Sequence, residues 1–224
     1  ASNEYLFIHD FDVDPITRTI HIYDGAKHVF QTYSMNGDFL SQIRIEDVVR
    51  DFKVLSNGEY LIYTPDYNKG ARRGLWKIDN KGRCSEHLLN ISDSFRYGGL
   101  YPQYLHRIDD YTIGLMSGED KDGIYHITSD SIIKKYELHF GMSIPKSIQK
   151  TDGFLDFERY GGEIYTKRDY FENSQWMSFS ATNFKDNLVC FYNKINDEYF
   201  CIANEKDLIQ DVDILGSFVF YDRN

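Results

Sequence analysis

Short runs in which apolar and polar residues alternate recur along the whole chain of 224 residues. The runs are rich in β-branched and aromatic residues, and turn-forming residues separate each run from the next, as is typical of half-buried strands. No stretch sustains the 3.6-residue period of an amphipathic helix. The pattern therefore predicts an all-β protein.

The predicted strands fall into four groups of four. They are residues 6–14, 19–24, 28–35 and 39–45; 51–55, 59–64, 74–79 and 83–89; 104–108, 111–116, 123–128 and 132–140; and 163–171, 175–182, 187–193 and 198–204. One further strand is predicted at 214–221. The groups start about 45 to 59 residues apart, at or above the roughly 40 to 50 residues of a β-propeller blade.

Tight turns set the order of strands within each group. The Asn-Gly pairs at 36–37 and 57–58 and the Lys-Gly pair at 81–82 supply the positive φ that short hairpins need. Each pair lies between the first and second or the third and fourth strand of a group. We therefore expect residues 1–224 to form a single β-propeller domain of four-stranded antiparallel blades, with about four blades and an extra strand.

Composition agrees with a strand-rich core, because 16% of the residues are aromatic and only four are proline. The net charge of -10 disfavours binding to nucleic acid or to anionic lipid. No apolar run is long enough to predict a transmembrane segment. The start, Ala-Ser-Asn-Glu, has no signal-peptide character, which predicts an intracellular chain or one whose targeting segment has been removed.

The three cysteines, Cys84, Cys190 and Cys201, are too scattered for a disulfide scaffold and lack the spacing of a zinc site. Free, half-buried thiols are the preferred interpretation. A disulfide between Cys190 and Cys201, which flank a predicted hairpin, is the alternative.

Several segments resemble the six-bladed β-propeller proteins of Bacteroides, which are similar to NHL-repeat propellers. The segments that carry the resemblance are residues 11–14, 20–24, 32–40, 131–141, 144–145, 176–179 and 188–194. The resemblance implies an exported lipoprotein of the bacterial envelope, although the lipidated N-terminal cysteine of that family is not in this sequence. Six blades need roughly 250 residues, so the chain is expected to be part of a six-bladed ring, or a smaller or open one.

The long predicted loops are the candidate binding surface, since loops on a rigid scaffold commonly carry function. The loops at 65–73 and 94–102 should lie on the same face and flank the same blade. Their aromatic rings could stack on a ligand and their guanidinium groups could donate hydrogen bonds, which suits a sugar, a peptide or an anionic group. These predicted ligand-binding residues are Tyr67, Arg72, Arg73, Phe95, Arg96, Tyr97 and Tyr101. The alternative is that the rings pack beneath the loops and the arginines are solvated.

No metal site, cofactor or catalytic residue is predicted. The Asp-x-Asp pairs Asp12/Asp14 and Asp211/Asp213 lack the spacing of a calcium loop and are interpreted as turn formers at strand ends. No nucleophile elbow, zinc-protease helix or phosphate-binding loop is present.

These observations favour a non-catalytic binding or scaffold propeller of the bacterial cell envelope over an enzyme. The long-loop face would recognise a glycan, a peptide or an envelope protein. The first alternative is a propeller hydrolase or lactonase with a divalent ion near the central axis. The second is a structural protein that pairs an exposed blade edge with another chain.

Overall fold

The computed structural model describes residues 6–64, 73–89, 104–116, 123–138, 166–182 and 187–203. Within these ranges the chain forms sixteen strands and no helix. The strands make four sheets of four antiparallel strands, and strands that follow each other in the chain are neighbours in the sheet. The predicted all-β fold of four-stranded, up-and-down propeller blades is therefore confirmed.

The observed strands lie within a few residues of the predicted bounds. The first sheet contains β1 (Ile8–Asp14), β2 (Thr19–Asp24), β3 (Val29–Ser34) and β4 (Phe39–Arg44). The second contains β5 (Asp51–Val54), β6 (Tyr60–Thr64), β7 (Gly74–Ile78) and β8 (Cys84–Leu89). The third contains β9 (Leu105–Arg107), β10 (Ile113–Met116), β11 (Gly123–Ile127) and β12 (Ile132–Glu137). The fourth contains β13 (Thr166–Glu172), β14 (Trp176–Thr182), β15 (Asn187–Asn193) and β16 (Glu198–Ala203). The strand predicted at 214–221 lies outside the described residues.

The predicted glycine turns have the expected backbone conformation. Gly37, Gly58 and Gly82 have φ values of 88°, 79° and 79°, which lie in the left-handed region that side chains with a Cβ atom rarely adopt. Gly82 has a second constraint, because a Cβ atom there would collide with the backbone carbonyl oxygen of Arg44. The turn between β7 and β8 therefore requires glycine for both its conformation and its packing.

The chain divides into two compact units. The first contains Ala1–Ile91 together with Asp110–Thr112 and Thr128–Ser131, and so holds the first two sheets. The second contains Ser92–Asp109, Ile113–Ile127 and Ile132–Asn224, and so holds the third and fourth sheets.

The core of the first unit is aromatic. The ring of Phe30 stacks on Tyr60 with 4.3 Å between ring centroids, and it meets Phe52 edge-on at 4.7 Å. Trp76 is completely buried in the same cluster. Each buried ring removes a large apolar area from water, so these contacts hold the facing surfaces of the first and second sheets together.

The core of the second unit lies between one face of the third sheet and one face of the fourth. Met116 and Ile124 of the third sheet belong to the same buried cluster as Met177, Phe179 and Cys190 of the fourth. We call the face of the fourth sheet that carries Met177, Phe179 and Cys190 its inner face.

A disulfide joins Cys190 and Cys201 on this inner face, so the preference for free thiols was wrong for these two residues. Cys190 lies directly opposite Cys201 in the β15–β16 register, with their Cα atoms 4.1 Å apart. Cys84 is a free thiol and is exposed. Disulfides of this kind persist in oxidising compartments such as the periplasm and the cell exterior.

We expect the Cys190→Ala/Cys201→Ala double variant to lose about 2–4 kcal/mol of unfolding free energy, because the cross-link restricts the unfolded chain. Urea denaturation monitored by circular dichroism measures this loss. Cys84→Ala is the matched control and should unfold like the unsubstituted protein. Equal midpoints for the double variant and the oxidised unsubstituted protein would show that the cross-link contributes nothing.

Candidate functional site

The predicted binding loops leave the second sheet at the same end of its strands, which we call the long-loop edge. Thr64, the last residue of β6, pairs with Gly74, the first residue of β7. Leu89, the last residue of β8, pairs with Leu75. The opposite edge carries two tight turns, closed by hydrogen bonds from Leu55 N to Glu59 O and from Asp79 N to Arg83 O. Both ends of the 65–73 loop, and the start of the segment that leads to the 94–102 loop, therefore lie at the long-loop edge.

Only one of the seven predicted ligand-binding residues lies within the described ranges. Arg73 is half-buried immediately before β7, and its backbone carbonyl accepts a hydrogen bond of 3.1 Å from Nε2 of His87. This bond ties the end of the 65–73 loop to β8. The other six lie outside the described residues, and their role in binding stays a prediction: Tyr67, Arg72, Phe95, Arg96, Tyr97 and Tyr101.

Two aspartates of β1 bind the backbone of β5. Asp10 Oδ2 accepts a hydrogen bond of 3.2 Å from Phe52 N, and Asp12 Oδ2 accepts one of 2.8 Å from Val54 N. Because β5 is at the edge of its sheet, these N–H groups face away from β6. The carboxylates therefore satisfy backbone donors that would otherwise be buried without partners.

The interpretation of the first Asp-x-Asp pair as a turn former is correct for one member only. Asp14 accepts hydrogen bonds from Ile16 N at 2.9 Å and from Thr17 Oγ1 at 2.6 Å, and so stabilises the β1–β2 turn. The assignment is wrong for Asp12, because the face that it shares with Asp10 meets β5. Asp211 and Asp213 lie outside the described residues.

Burial raises the pKa of Asp10 to about 6, although the nearby charge of Lys53 lowers it and that of Asp51 raises it further. Lys53 Nζ also lies 3.5 Å from Asp51 Oδ1 and donates to the Phe52 carbonyl oxygen. Asp10 therefore changes its charge just below neutral pH, at the contact between β1 and β5.

We expect Asp10→Asn to change how stability depends on pH. A raised pKa means that the folded state favours the protonated carboxyl group, so its stabilising contribution is complete below about pH 3.8 and is lost as pH rises through about 6. The midpoint of thermal unfolding of the unsubstituted protein should therefore fall relative to that of the variant between pH 4 and pH 7. Asp130→Asn, at an exposed turn, controls for the loss of one negative charge. Parallel pH profiles for the Asp10 variant and the unsubstituted protein would contradict the assignment.

A second buried carboxylate, that of Glu172 at the end of β13, accepts four hydrogen bonds. Oε2 accepts from the Tyr170 hydroxyl group and from His126 Nε2, the latter at 3.0 Å. Oε1 accepts from Tyr136 Oη at 3.2 Å and from Lys194 Nζ at 2.8 Å. We call these five residues the Glu172 cluster.

Two further contacts hold the Glu172 cluster in place. His106 Nε2 donates a hydrogen bond of 2.9 Å to the backbone carbonyl oxygen of Glu172. Gly114 lies against the Tyr170 ring so closely that a Cβ atom there would collide with the hydroxyl group. Because glycine has no side chain, Gly114 leaves room for the Tyr170 ring to reach Glu172.

The donors determine the charge state of the cluster. Burial by itself raises the pKa of Glu172, but the hydrogen bonds and charges of its donors, His126 foremost, outweigh burial and lower the pKa to about 2. Burial, followed by the charge of Glu172, raises the pKa of Tyr170 far above its usual range. At neutral pH Glu172 is therefore an anion with every donor in place, which suits a structural tie between the third and fourth sheets better than a general base.

Sequence reasoning missed the Glu172 cluster because its members come from β11, β12, β13 and the β15–β16 turn. The one local signal was a glutamate that follows Tyr170 and Phe171 at the end of a strand. Within the described ranges, His, Cys, Asp and Glu side chains do not form a group of three or more that could hold a metal ion.

We expect Glu172→Gln to lower the unfolding free energy by about 3–5 kcal/mol, since Lys194 and His126 lose their buried anionic partner. Because folding lowers the pKa of Glu172, the ionised carboxylate stabilises the folded state. This contribution is complete above about pH 4.5 and is lost as pH falls towards 2. Urea denaturation between pH 3 and pH 7 should therefore show a steeper loss at low pH for the unsubstituted protein than for the variant. Glu198→Gln, at an exposed position of β16, is the control. If Glu172→Gln leaves the urea midpoint at pH 7 unchanged, the cluster is not a stabilising tie.

A sequence model for a family described as a domain of unknown function (DUF4934) matches residues 2–224. None of the curated proteins matches the chain. The described residues also contain no helix with the length and apolar character needed to cross a bilayer.

Several solved structures are similar to this one. A Bacteroides fragilis protein that is considered to be exported superposes with a TM-score of 0.72 at 17% identity, over 89% of this chain. This chain spans only 59% of that protein's length. At this identity the similarity shows the fold alone.

Two further structures are more distant. Virginiamycin B lyase from Staphylococcus aureus has a TM-score of 0.47 at 14% identity, over 88% of this chain and 56% of the lyase. BamB from Moraxella catarrhalis has a TM-score of 0.49 at 10% identity, over 88% of this chain and 53% of BamB. Similarities at this level carry no argument about function.

Proposed function

The chain belongs to the DUF4934 family of domains of unknown function, and we propose that it is a non-catalytic binding module of the bacterial cell envelope. The observation that carries the proposal is the shared edge of the second sheet. Both long loops leave at this edge, where Thr64, Gly74 and Leu89 lie next to one another in the register. The ordered strands provide a rigid base on which loops can present a binding surface.

The loop composition indicates the class of ligand. Tyrosine and phenylalanine rings can stack on sugar rings or on apolar peptide side chains, and arginine can bind carboxylate or phosphate groups in a bidentate manner. The residues 65–73 and 94–102 combine both types. A glycan, a peptide or an exposed segment of another envelope protein therefore fits this surface best.

Two observations support an exported protein. The Cys190–Cys201 disulfide is stable in an oxidising compartment, and the similar Bacteroides fragilis protein is considered to be exported. We also propose that the chain belongs with the six-bladed, NHL-like propeller lipoproteins. This part of the proposal rests on the sequence resemblance.

Binding is favoured over the alternative of a hydrolase or lactonase with a divalent ion. Such a site needs carboxylate oxygens that are available to the ion. Asp10 and Asp12 are engaged by backbone N–H groups of β5, and Glu172 by four side-chain donors. Their hydrogen bonds give these carboxylates a role in joining sheets.

The test uses the Tyr97→Ala/Tyr101→Ala double variant. We expect its affinity for a ligand identified on glycan and peptide arrays to fall about tenfold or more, because two stacking rings are removed. Isothermal titration calorimetry measures the affinity, and circular dichroism verifies the fold.

Tyr111→Ala is the matched control for this test. It removes an exposed tyrosine from the short turn between β9 and β10, which is a first-to-second-strand connection rather than a long loop. Its affinity should equal that of the unsubstituted protein. Unchanged binding by the double variant would show that the long-loop edge is not the binding surface.

A further inference from the structure

The fourth sheet has an apolar outer face, opposite to its inner face. The register of β14, β15 and β16 places Ser178, Phe191 and Phe200 side by side on this outer face, and Trp176 lies two residues from Ser178 on the same side. Phe191 stacks on Phe200 with 5.0 Å between centroids, and Trp176 meets Phe200 edge-on at 6.4 Å. Aromatic residues therefore line much of this surface.

Much of this apolar area is exposed to water. The exposed fractions are 45% for Phe171, 43% for Phe200 and 38% for Val189, and all three lie on the outer face. Contiguous exposed apolar surfaces are commonly interaction surfaces, which makes this face a candidate for packing by another element.

The two cores of the protein indicate which element covers such a face. In the first unit, Phe30 of the first sheet packs on Phe52 and Tyr60 of the second. In the second unit, Ile124 of the third sheet belongs to one cluster with Met177 of the fourth. In each unit a sheet is covered by the element that follows it in the chain.

After the fourth sheet, the chain continues to the apolar run Ile-Leu-Gly-Ser-Phe-Val-Phe-Tyr at 214–221. Apolar residues occupy both sets of alternating positions, which is typical of a strand buried on both faces. β5, the first strand of the second sheet, is also buried at every position. The run begins about 51 residues after the predicted start of the fourth group, within the repeat spacing of the earlier groups.

We propose that residues 214–221 form a strand that packs on the outer face of the fourth sheet, next to β13, as β5 packs next to β1. The occupant is thus a segment of this chain. The aromatic face of β14, β15 and β16 is its docking surface, and the segment is the first strand of the next repeat.

The protein contains two tryptophans, which makes the proposal measurable by fluorescence. Trp176 is on the outer face, whereas Trp76 is buried in the first unit. In a Trp76→Phe background of the full chain, Trp176 reports the outer face alone. The substitutions Phe218→Asp/Phe220→Asp and Val219→Asp/Tyr221→Asp address the two sides of the proposed strand separately.

We expect at least one of these pairs to raise the iodide quenching constant of Trp176 at least twofold and to shift its emission to longer wavelength. The same pairs in a Trp176→Phe background should leave the emission of Trp76 unchanged, which verifies that the first unit stays folded. If neither pair changes the quenching of Trp176, the proposal is wrong. If the quenching of Trp176 in the Trp76→Phe chain increases on dilution, a second copy covers the face, and the proposal is also wrong.

Hydrogen exchange on the unsubstituted chain provides a test that does not depend on the folding of any variant. The amides of 214–221 should exchange at least tenfold more slowly than in a free peptide of the same sequence. Exchange at the rate of the free peptide would overturn the proposal.

Discussion

Each four-stranded sheet of this protein must bury an apolar face, and its structure depends on that constraint. A single antiparallel sheet of four short strands is not stable in water until one of its faces packs against another element. In the first unit the contact of Phe30 with Phe52 and Tyr60 meets this requirement. In the second unit Met177 and Phe179 of the fourth sheet meet it against the third. The outer face with Phe191 and Phe200 is a second apolar face of the fourth sheet, and we propose that the segment at 214–221 buries it.

When sheets pack face to face, the unpaired backbone groups of an edge strand can become buried. Such packing therefore requires hydrogen bonds as well as apolar contacts. The edge strand β5 presents backbone N–H groups that no strand of its own sheet can bind, and Asp10 and Asp12 bind them. The Glu172 cluster performs a related task between the third and fourth sheets with side-chain donors. Buried carboxylates are tolerated in both places because their hydrogen bonds compensate for the loss of water.

These ties also bear on function. Carboxylates that hold sheets together are poor candidates for catalysis, since a general base needs a lone pair available to the substrate. We propose that recognition instead uses the loops at 65–73 and 94–102, and the chain leaves the second sheet towards both loops at the same end of its strands. The disulfide joins β15 and β16 of the fourth sheet and does not involve the strands of the second sheet.

The sequence by itself determined the strands and their turns, because both depend on residues close together in the chain. Alternation of apolar and polar residues located β1 to β16, and the glycines at 37, 58 and 82 located turns that only positive φ permits. The candidate loops were located in the same way, by the absence of strand pattern between β6 and β7 and after β8. Arg73, at the end of the first loop, is the predicted ligand-binding residue whose position the structure describes.

Only the tertiary structure decided which side chains meet. The register of β15 and β16 placed Cys190 opposite Cys201, and the packing of β1 against β5 gave Asp12 a backbone donor instead of a turn. Residues from four separate segments formed the Glu172 cluster. Local sequence patterns specify the conformation of each strand, whereas contacts between strands distant in the chain depend on register and on which faces pack together.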